Sequence, residues 1–405
     1  MGIFEIASSS LNGAQNLAKR VKKVRTMQLR AGSLHSPLDE NAVLYESYSG
    51  NGMVCHPEAI FRRLLGAEDM NHLKHIWVLK DLSRFRSTVQ KFQKNDRVKF
   101  VVYGSLAYYK ALQTSKYLIN NVSFPQQFSK RDGQIYVNTW HGVPLKKMGF
   151  DVKGGAVDTR NMIRNFLSAD YLLSAGPRMT EQMYIRAFKL VNVYEGSILE
   201  VGNPRIDWQF QPAQATIELR EWLDKFNMDL DEREVILYAP TWKGSDFTRP
   251  SNDAASLAAI VSDLESRIDC EKYRVLVKAH QLVAEEMKSN EALIGRLVPN
   301  DIPTNVVLAA TSILITDYSS IFYDFIATGN PVIFYTPDIE SYRTYRDVYV
   351  EPESFPGRLA YSVEELASHV TDTLRDDWGW DQSVRARYDE AVQAFTKHDD
   401  GHASG

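Results

Sequence analysis

Cysteine is scarce in this chain. Its 405 residues hold two, Cys55 and Cys270, far apart and without CxxC or Cys/His ligand spacing. That argues against a disulfide framework and a structural zinc site, and it suits a reducing cytoplasm. No run of about 18 apolar residues occurs, so no segment reads as a bilayer span. The N-terminus lacks the apolar core and cleavage pattern of a secretory signal. Neither charge sign is in large excess: 47 Lys and Arg against 51 Asp and Glu give a formal net charge of −4, which excludes a generally basic nucleic-acid binder but not a local basic face. There is no GxGxxG after a strand, no P-loop Gly-Lys-Ser/Thr pattern and no HExxH, so nicotinamide enzymes, P-loop kinases and zincins are poor readings. Asp229-Leu230-Asp231 has DxD spacing, but it sits in a polar turn that it more simply caps. No metal set or cofactor is firmly implied.

A length of 405 residues exceeds one ordinary core and implies two domains. Short β-branched runs alternate with helical segments. The expected strands are Val43–Ser47, His75–Lys80, Val98–Gly104, Tyr117–Asn121, Gln134–Thr139, Tyr171–Ser174, Leu199–Gly202, Glu234–Ala239, Tyr273–Lys278, Ser312–Thr316 and Pro331–Tyr335. Helices are expected between them, among others at Thr180–Ala187, Ser319–Ala327 and Val363–Arg375. This alternation predicts an α/β chain with parallel, doubly wound sheets. Pro204 and Pro212 flank a polar connector, which places the domain boundary near residues 204–215, between a domain at 34–205 and one at 206–380. A helix within 381–405 follows, with Val384, Tyr388, Ala391, Val392 and Phe395 roughly on one side. The closing Asp400-Gly401-His402-Ala403-Ser404-Gly405 reads as an interrupted loop. Residues 1–33 differ in character: Lys19, Arg20, Lys22, Lys23, Arg25 and Arg30 lie among Leu11, Leu17, Val21, Val24 and Met27. On a helix this pattern suits either an anionic membrane surface or packing on the chain's own domain.

Two histidines, one in each half, end strand-like runs: Asn138-Thr139-Trp140-His141-Gly142-Val143-Pro144 and Val275-Leu276-Val277-Lys278-Ala279-His280. Ligand clefts of α/β proteins lie beyond the carboxyl ends of parallel strands, so each ring is placed to meet a substrate. Gly142 and Pro144 force a turn that leaves His141 at the rim, where a neutral imidazole accepts a hydroxyl proton. Lys146, Lys147 and Lys153 offer positive charge, and Asp151 would orient the histidine or a hydroxyl. A purely structural histidine is the competing reading. In Thr316-Asp317-Tyr318-Ser319-Ser320 a strand runs into a helix whose free N–H groups favour phosphate, although serine and aspartate are also ordinary caps. Tyr238-Ala239-Pro240-Thr241-Trp242-Lys243-Gly244 ends another strand, with Thr241 and Lys243 in reach of a phosphate or simply forming a βα turn. Val201-Gly202-Asn203-Pro204-Arg205 reads as a hinge turn with Arg205 either aimed into a cleft or on the surface.

Together the stretches NTWHGVPLKKMGFD (138–151), VGNPRID (201–207), YAPTWKG (238–244), VLVKAH (275–280) and TDYSSIFYDF (316–325) resemble the CDP-glycerol glycerophosphotransferase family, the teichoic-acid and capsule polyol-phosphate transferases and polymerases. VLYESYSGN (43–51) and RDVYVEPESFPG (346–357) are also similar, so the likeness covers roughly residues 43–360 in family order. The resemblance implies a GT-B architecture of two Rossmann-like domains facing a cleft, with the nucleotide mostly in the C-terminal one. It implies transfer of glycerol phosphate or ribitol phosphate from a CDP-activated donor to the hydroxyl of a lipid-linked or oligosaccharide acceptor, with CMP released. The expected location is the cytoplasm, with peripheral attachment at the inner face of the cell membrane as the option the basic N-terminal segment offers. On that basis His141 matches the proposed general base and His280 the donor-phosphate histidine. Thr316, Asp317, Ser319 and Ser320 match the pyrophosphate loop, while Lys-Ala-His-Gln stands where many relatives carry His-Pro. A GT-B sugar transferase and a catalytically idle nucleotide- or polymer-binding module are the competing functions.

Overall fold

The computed structural model describes residues 32, 35–152, 155, 159–241, 254–279, 287, 290–340, 342, 348–375 and 382–405. Apart from Gly32, the basic stretch at 1–33 lies outside the described residues, as do Lys153, Trp242, Lys243 and His280. The β-branched runs form two sheets whose described pairings are parallel. The seven-stranded sheet comprises β1 (Asp39–Glu46), β2 (Lys74–Leu79), β3 (Val98–Val102), β4 (Ser115–Asn120), β5 (Ile135–Asn138), β6 (Tyr171–Ser174) and β7 (Ser197–Glu200), in the order β3-β2-β1-β4-β5-β6-β7. The five-stranded sheet comprises β8 (Glu234–Ala239), β9 (Tyr273–Val277), β10 (Thr311–Thr316), β11 (Val332–Tyr335) and β12 (Arg358–Ala360), in the order β12-β11-β10-β8-β9. This is the α/β class with two parallel sheets that the alternation predicted.

Continuous burial explains why these runs lack a polar face. Ala42, Val43, Leu44 and Tyr45 of β1 are all buried, as are Val235, Ile236, Leu237, Tyr238 and Ala239 of β8. A parallel sheet covered on both faces selects such strands. In the first core Val43, Tyr45, Trp77 and Ile119 pack with Phe61 of the helix Cys55–Gly66. In the second, Ile236, Val275, Ile313 and Ile333 pack under Leu257, Val261 and Leu264 of Ala254–Glu265 and under Leu366 and Val370 of Val363–Arg375. The Val363–Arg375 helix carries Glu364 and Glu365 in its first turn and Arg375 in its last, charges that complement its dipole.

Each sheet has one point where the strand order reverses, between β1 and β4 in the first and between β8 and β10 in the second. Loops leaving the carboxyl ends of such strands form the binding crevices of doubly wound folds. Tyr238–Thr241 and Thr316–Ser320 flank the second switch point, and Glu46 ends β1 at the first.

The compact units are interleaved rather than divided near residue 205. One unit holds residues up to Trp140, Arg160–Leu172 and Tyr194–Ser197; the other holds His141–Thr159, Leu173–Val193 and Ile198–Gly405. The chain therefore passes from one to the other between Trp140 and His141. Residues 399–404 are no loose end, since they bind the 203–207 turn through Asp399 and Asp207. Asp399 accepts from the Asn203 N–H (2.5 Å), and Asp207 accepts from the Ala403 and Ser404 N–H groups (both 3.0 Å).

Some elements differ from the sequence reading. Thr180–Ala187 forms the expected element but as a π-helix, and the helix after the Thr-Asp-Tyr-Ser-Ser turn is shortened to Ile321–Phe325 before a 3-10 turn at Ile326–Thr328. Helices Arg86–Phe92 and Thr304–Ala309 and strand β12 were not anticipated.

Candidate active site

Asn120 and Asn138, both buried, shape the turn that presents His141. The Thr139 N–H donates to the Asn120 carbonyl (2.9 Å), and the Trp140 N–H donates to Asn138 Oδ1 (3.0 Å). Trp140 adopts a left-handed backbone with φ of 50°, while its buried indole packs edge-on to Phe166 at 5.7 Å. A bulky residue at positive φ is strained, and such strain persists only where surrounding packing over-determines it. The next residue, His141, is half-buried and leaves the strand direction at once. Gly142 then takes φ of 106°, and a Cβ there would stand 2.2 Å from Arg205 Nη2. Glycine is thus required both by its torsion and by the guanidinium against it.

Arg205 itself is held from the other side. Its Nη2 donates to Asp324 Oδ1 at 2.9 Å, and Nε lies 2.8 Å from Asp324 Oδ2 as an ion-pair contact rather than a directed hydrogen bond. Asn305 donates to the same Asp324 carboxylate (3.1 Å). The pair is largely buried, with 14% and 8% of the two side chains exposed. Arg205 therefore forms the backing of the His141-Gly142 turn. Asp324 and Asn305 were missed because nothing in the local sequence marks Asp324 as the partner of a residue 119 positions away, or Asn305 as its second donor.

The loop continues into a second set of ties. Gln182 donates to the Pro144 carbonyl (3.2 Å), the Tyr349 N–H donates to Leu145 O (2.8 Å), and Lys146 bridges Val348. Asp151 Oδ2 accepts from the Tyr349 hydroxyl at 2.9 Å, and that hydroxyl accepts from the Met148 N–H at 3.2 Å. Burial pushes the Tyr349 phenol up to about 12, with the Asp151 charge adding to the effect, so it stays a neutral donor. Asp151 thus orients a tyrosine that sequence reading had not singled out. Lys146 and Lys147 are half-buried on this loop.

At the second switch point Asp317 is 6% exposed. Its carboxylate accepts from the Thr241 N–H at 2.9 and 3.1 Å and from the Thr241 hydroxyl at 3.0 Å. The two loops are thereby locked together at the ends of β8 and β10. Thr316 is fully buried and its hydroxyl donates to Ala239 O (2.7 Å), so it ties the strands and is not a surface group. Ser319 Oγ accepts from the Ile321 N–H (3.3 Å), whereas Ser320 is exposed and its side chain makes no cap bond. Tyr318 stacks on Tyr342 with centroids 3.6 Å apart and donates to Asp338 (3.3 Å). Just past β9 the buried Lys278 ammonium donates to the carbonyls of Pro299 (2.9 Å) and Ile302 (3.2 Å), with desolvation lowering it to about 8. That anchors the strand end leading to His280, which lies outside the described residues. The Asp229–Asp231 pair forms a capped turn, the Asp231 N–H donating to Asp229 Oδ1 (2.9 Å). Among the described residues no group of three or more His, Cys, Asp or Glu is arranged to hold a metal ion.

The family described as CDP-Glycerol:Poly(glycerophosphate) glycerophosphotransferase matches residues 29–405. The chain belongs to this family. It is accordingly an enzyme, a transferase of the CDP-polyol phosphotransfer class found in teichoic acid synthesis. Its sequence is 30% identical, over 368 residues, to the teichoic acid poly(glycerol phosphate) polymerase of Bacillus spizizenii, covering 87% of this chain and 88% of that protein. The teichoic acid ribitol-phosphate primase of the same organism is 26% identical over 71% of this chain and 72% of its own length. Among solved structures, the wall teichoic acid polymerase TagF aligns over the whole chain and 96% of its own, with a TM-score of 0.77 at 22% identity. That likeness concerns the fold, a GT-B-like α/β architecture with two parallel sheets.

Proposed function

We propose that this enzyme transfers glycerol phosphate from CDP-glycerol to a hydroxyl of a teichoic-acid-type acceptor. The acceptor oxygen attacks the glycerol-bearing phosphorus, the bond to the bridging oxygen of the pyrophosphate breaks, and CMP leaves. The single observation that carries this reading is His141 on its strained turn at the end of β5, within a chain that matches the glycerophosphotransferase family over residues 29–405. His141 takes the hydroxyl proton as general base. Phosphoryl transfer is otherwise mainly positioning and charge compensation. Lys146, Ser319 and Ser320 supply donors and charge to the phosphates, together with Lys243 and His280. Gly142, Arg205, Asp151, Thr241, Asp317 and Thr316 serve through the frame: their contacts fix the two loops and would set the position of the groups that touch substrate.

Glycerol is preferred to ribitol here on coverage alone: the match to the poly(glycerol phosphate) polymerase spans 87% of the chain, against 71% for the ribitol-phosphate primase and 58% for a ribitol-phosphate polymerase that reaches the same 30% identity. The basic pattern of residues 1–33 supports recruitment to an anionic membrane face, where a lipid-linked acceptor would lie. Among the described residues no helix is long and apolar enough to cross a membrane. Sedimentation with anionic liposomes that is unchanged by deleting residues 1–33 would remove this recruitment role. The transfer reading is tested by incubating the protein with CDP-glycerol, CDP-ribitol and nucleotide sugars plus acceptor, then identifying the released nucleotide and weighing the product. CMP from CDP-glycerol with a glycerol phosphate increment is expected; release of a nucleoside diphosphate from a sugar donor would overturn it.

A further inference from the structure

A cavity of about 450 Å³ opens between the loop carrying Lys147, the π-helix Thr180–Ala187 and Tyr349. Three cations, Lys147, Arg178 and Arg186, line it against one carboxylate, Glu181, with the Gln182 amide and Tyr349 beside them. It is open to solvent, and the excess of cations in its lining favours an anion. The walls are fastened to the turn that carries His141: Gln182 donates to Pro144 O (3.2 Å), and the Tyr349 N–H donates to Leu145 O (2.8 Å). The Arg178 guanidinium lies over the Phe395 ring, 4.9 Å from its centroid, a cation–π contact that fixes where its charge sits. Arg186 is exposed and near enough to Tyr349 for its charge to act on the phenol. π-helical turns are rare; here one carries Glu181, Gln182 and Arg186 to the same cavity.

We propose that this cavity is a second anion subsite, which holds a phosphodiester of the acceptor chain while the terminal hydroxyl of that chain lies at His141. The inference rests on the transfer reading above. Arginine forks match phosphate oxygens bidentately, which is the geometry a polyol-phosphate backbone offers. His141 and Lys147 are six positions apart in the chain, a span of at most about 21 Å, so one acceptor molecule would reach both. An enzyme built this way would grip a substrate that already carries phosphates more tightly than one that does not.

The test uses the full chain and needs no turnover. Equilibrium binding of synthetic oligo(glycerol phosphate) and, separately, of CDP-glycerol is measured for wild type, Arg178→Gln/Arg186→Gln, Arg186→Gln alone and Arg186→Lys. The double variant should weaken oligomer binding about tenfold or more, with CDP-glycerol binding unchanged. Arg186→Gln should show part of the loss and Arg186→Lys should restore most of it. Unchanged oligomer affinity, a loss that falls on CDP-glycerol instead, or a wild type that binds no oligomer would each overturn the subsite. A wild type that binds oligomer but releases no CMP from any donor would sink the transfer reading while leaving the subsite standing.

Discussion

Replacing Gly142 with alanine places a single methyl group where the structure has room for none. The added Cβ would lie 2.2 Å from Arg205 Nη2, well inside van der Waals contact, and the residue would have to hold φ at 106°. The backbone conformation alone costs about 1–3 kcal/mol for a non-glycine residue. The guanidinium must also move, and it is paired with the largely buried Asp324. Full rupture of a buried pair costs about 3–5 kcal/mol, so partial displacement adds some fraction of that. The alternative relief is a shift of the His141 turn itself, and a misplacement of about 1 Å lowers turnover by up to about 10²-fold. Urea unfolding and steady-state CMP release are therefore measured on Gly142→Ala, Arg205→Ala and the double variant. Removing the guanidinium vacates the space the methyl needs, so the double variant should cost less than the sum of the singles, with a coupling of about 0.5–3 kcal/mol. Wild-type stability and turnover in Gly142→Ala, or strict additivity in the cycle, would refute the argument that Arg205 backs the turn.

Two further outcomes follow from the geometry. His141→Ala should lower turnover by about 10²–10⁴-fold with the unfolding midpoint unchanged, and wild-type rates in that variant would discard the general-base role. Glu46, fully buried at the end of β1, has Asn120 donating to Oε1 (3.3 Å), and burial raises its carboxyl from 4.5 to about 8. A raised carboxyl contributes stability that is complete below its unfolded value and is lost as pH climbs through the folded one. Stability should thus fall between about pH 4.5 and 8, by up to about 1.4 kcal/mol per pH unit. Glu46→Gln lacks this proton, so its stability relative to wild type should rise across the same window and level off above it; a pH-independent difference would show that Glu46 is not the titrating group.

The sheets were legible because buried parallel strands are written as uninterrupted apolar runs. Tyr171–Ser174 and Glu234–Ala239 match the expected limits, and most other anticipated strands shift by a few residues at one or both ends. β12 was not legible, since its three residues, Arg-Leu-Ala, carry no period and owe their place to β11 alone. Local chemistry also marked the turn after His141, where Gly142 and Pro144 announce a bend. What could not be read was which polar side chains face substrate and which face each other. Asp317, Arg205 and Asp151 look alike as free charges in a sequence. Their acceptors and donors (Thr241, Asp324 and Tyr349) come from elements remote in the chain, and only the fold pairs them. The passages of the chain between the two units, such as that between Trp140 and His141, were likewise hidden, because Gly142 and Pro144 announce a bend but not a change of unit.

The hold of residues 399–404 on the 203–207 turn has a consequence for the site. Asn203 is clasped by a carboxylate 196 positions later, and Arg205, two residues on, supports the turn bearing His141. Both sheets pair without any residue beyond β12, yet the 203–207 turn, and through Arg205 the turn bearing His141, leans on Asp399. Replacing that aspartate would remove the clasp on Asn203 while leaving both sheets paired.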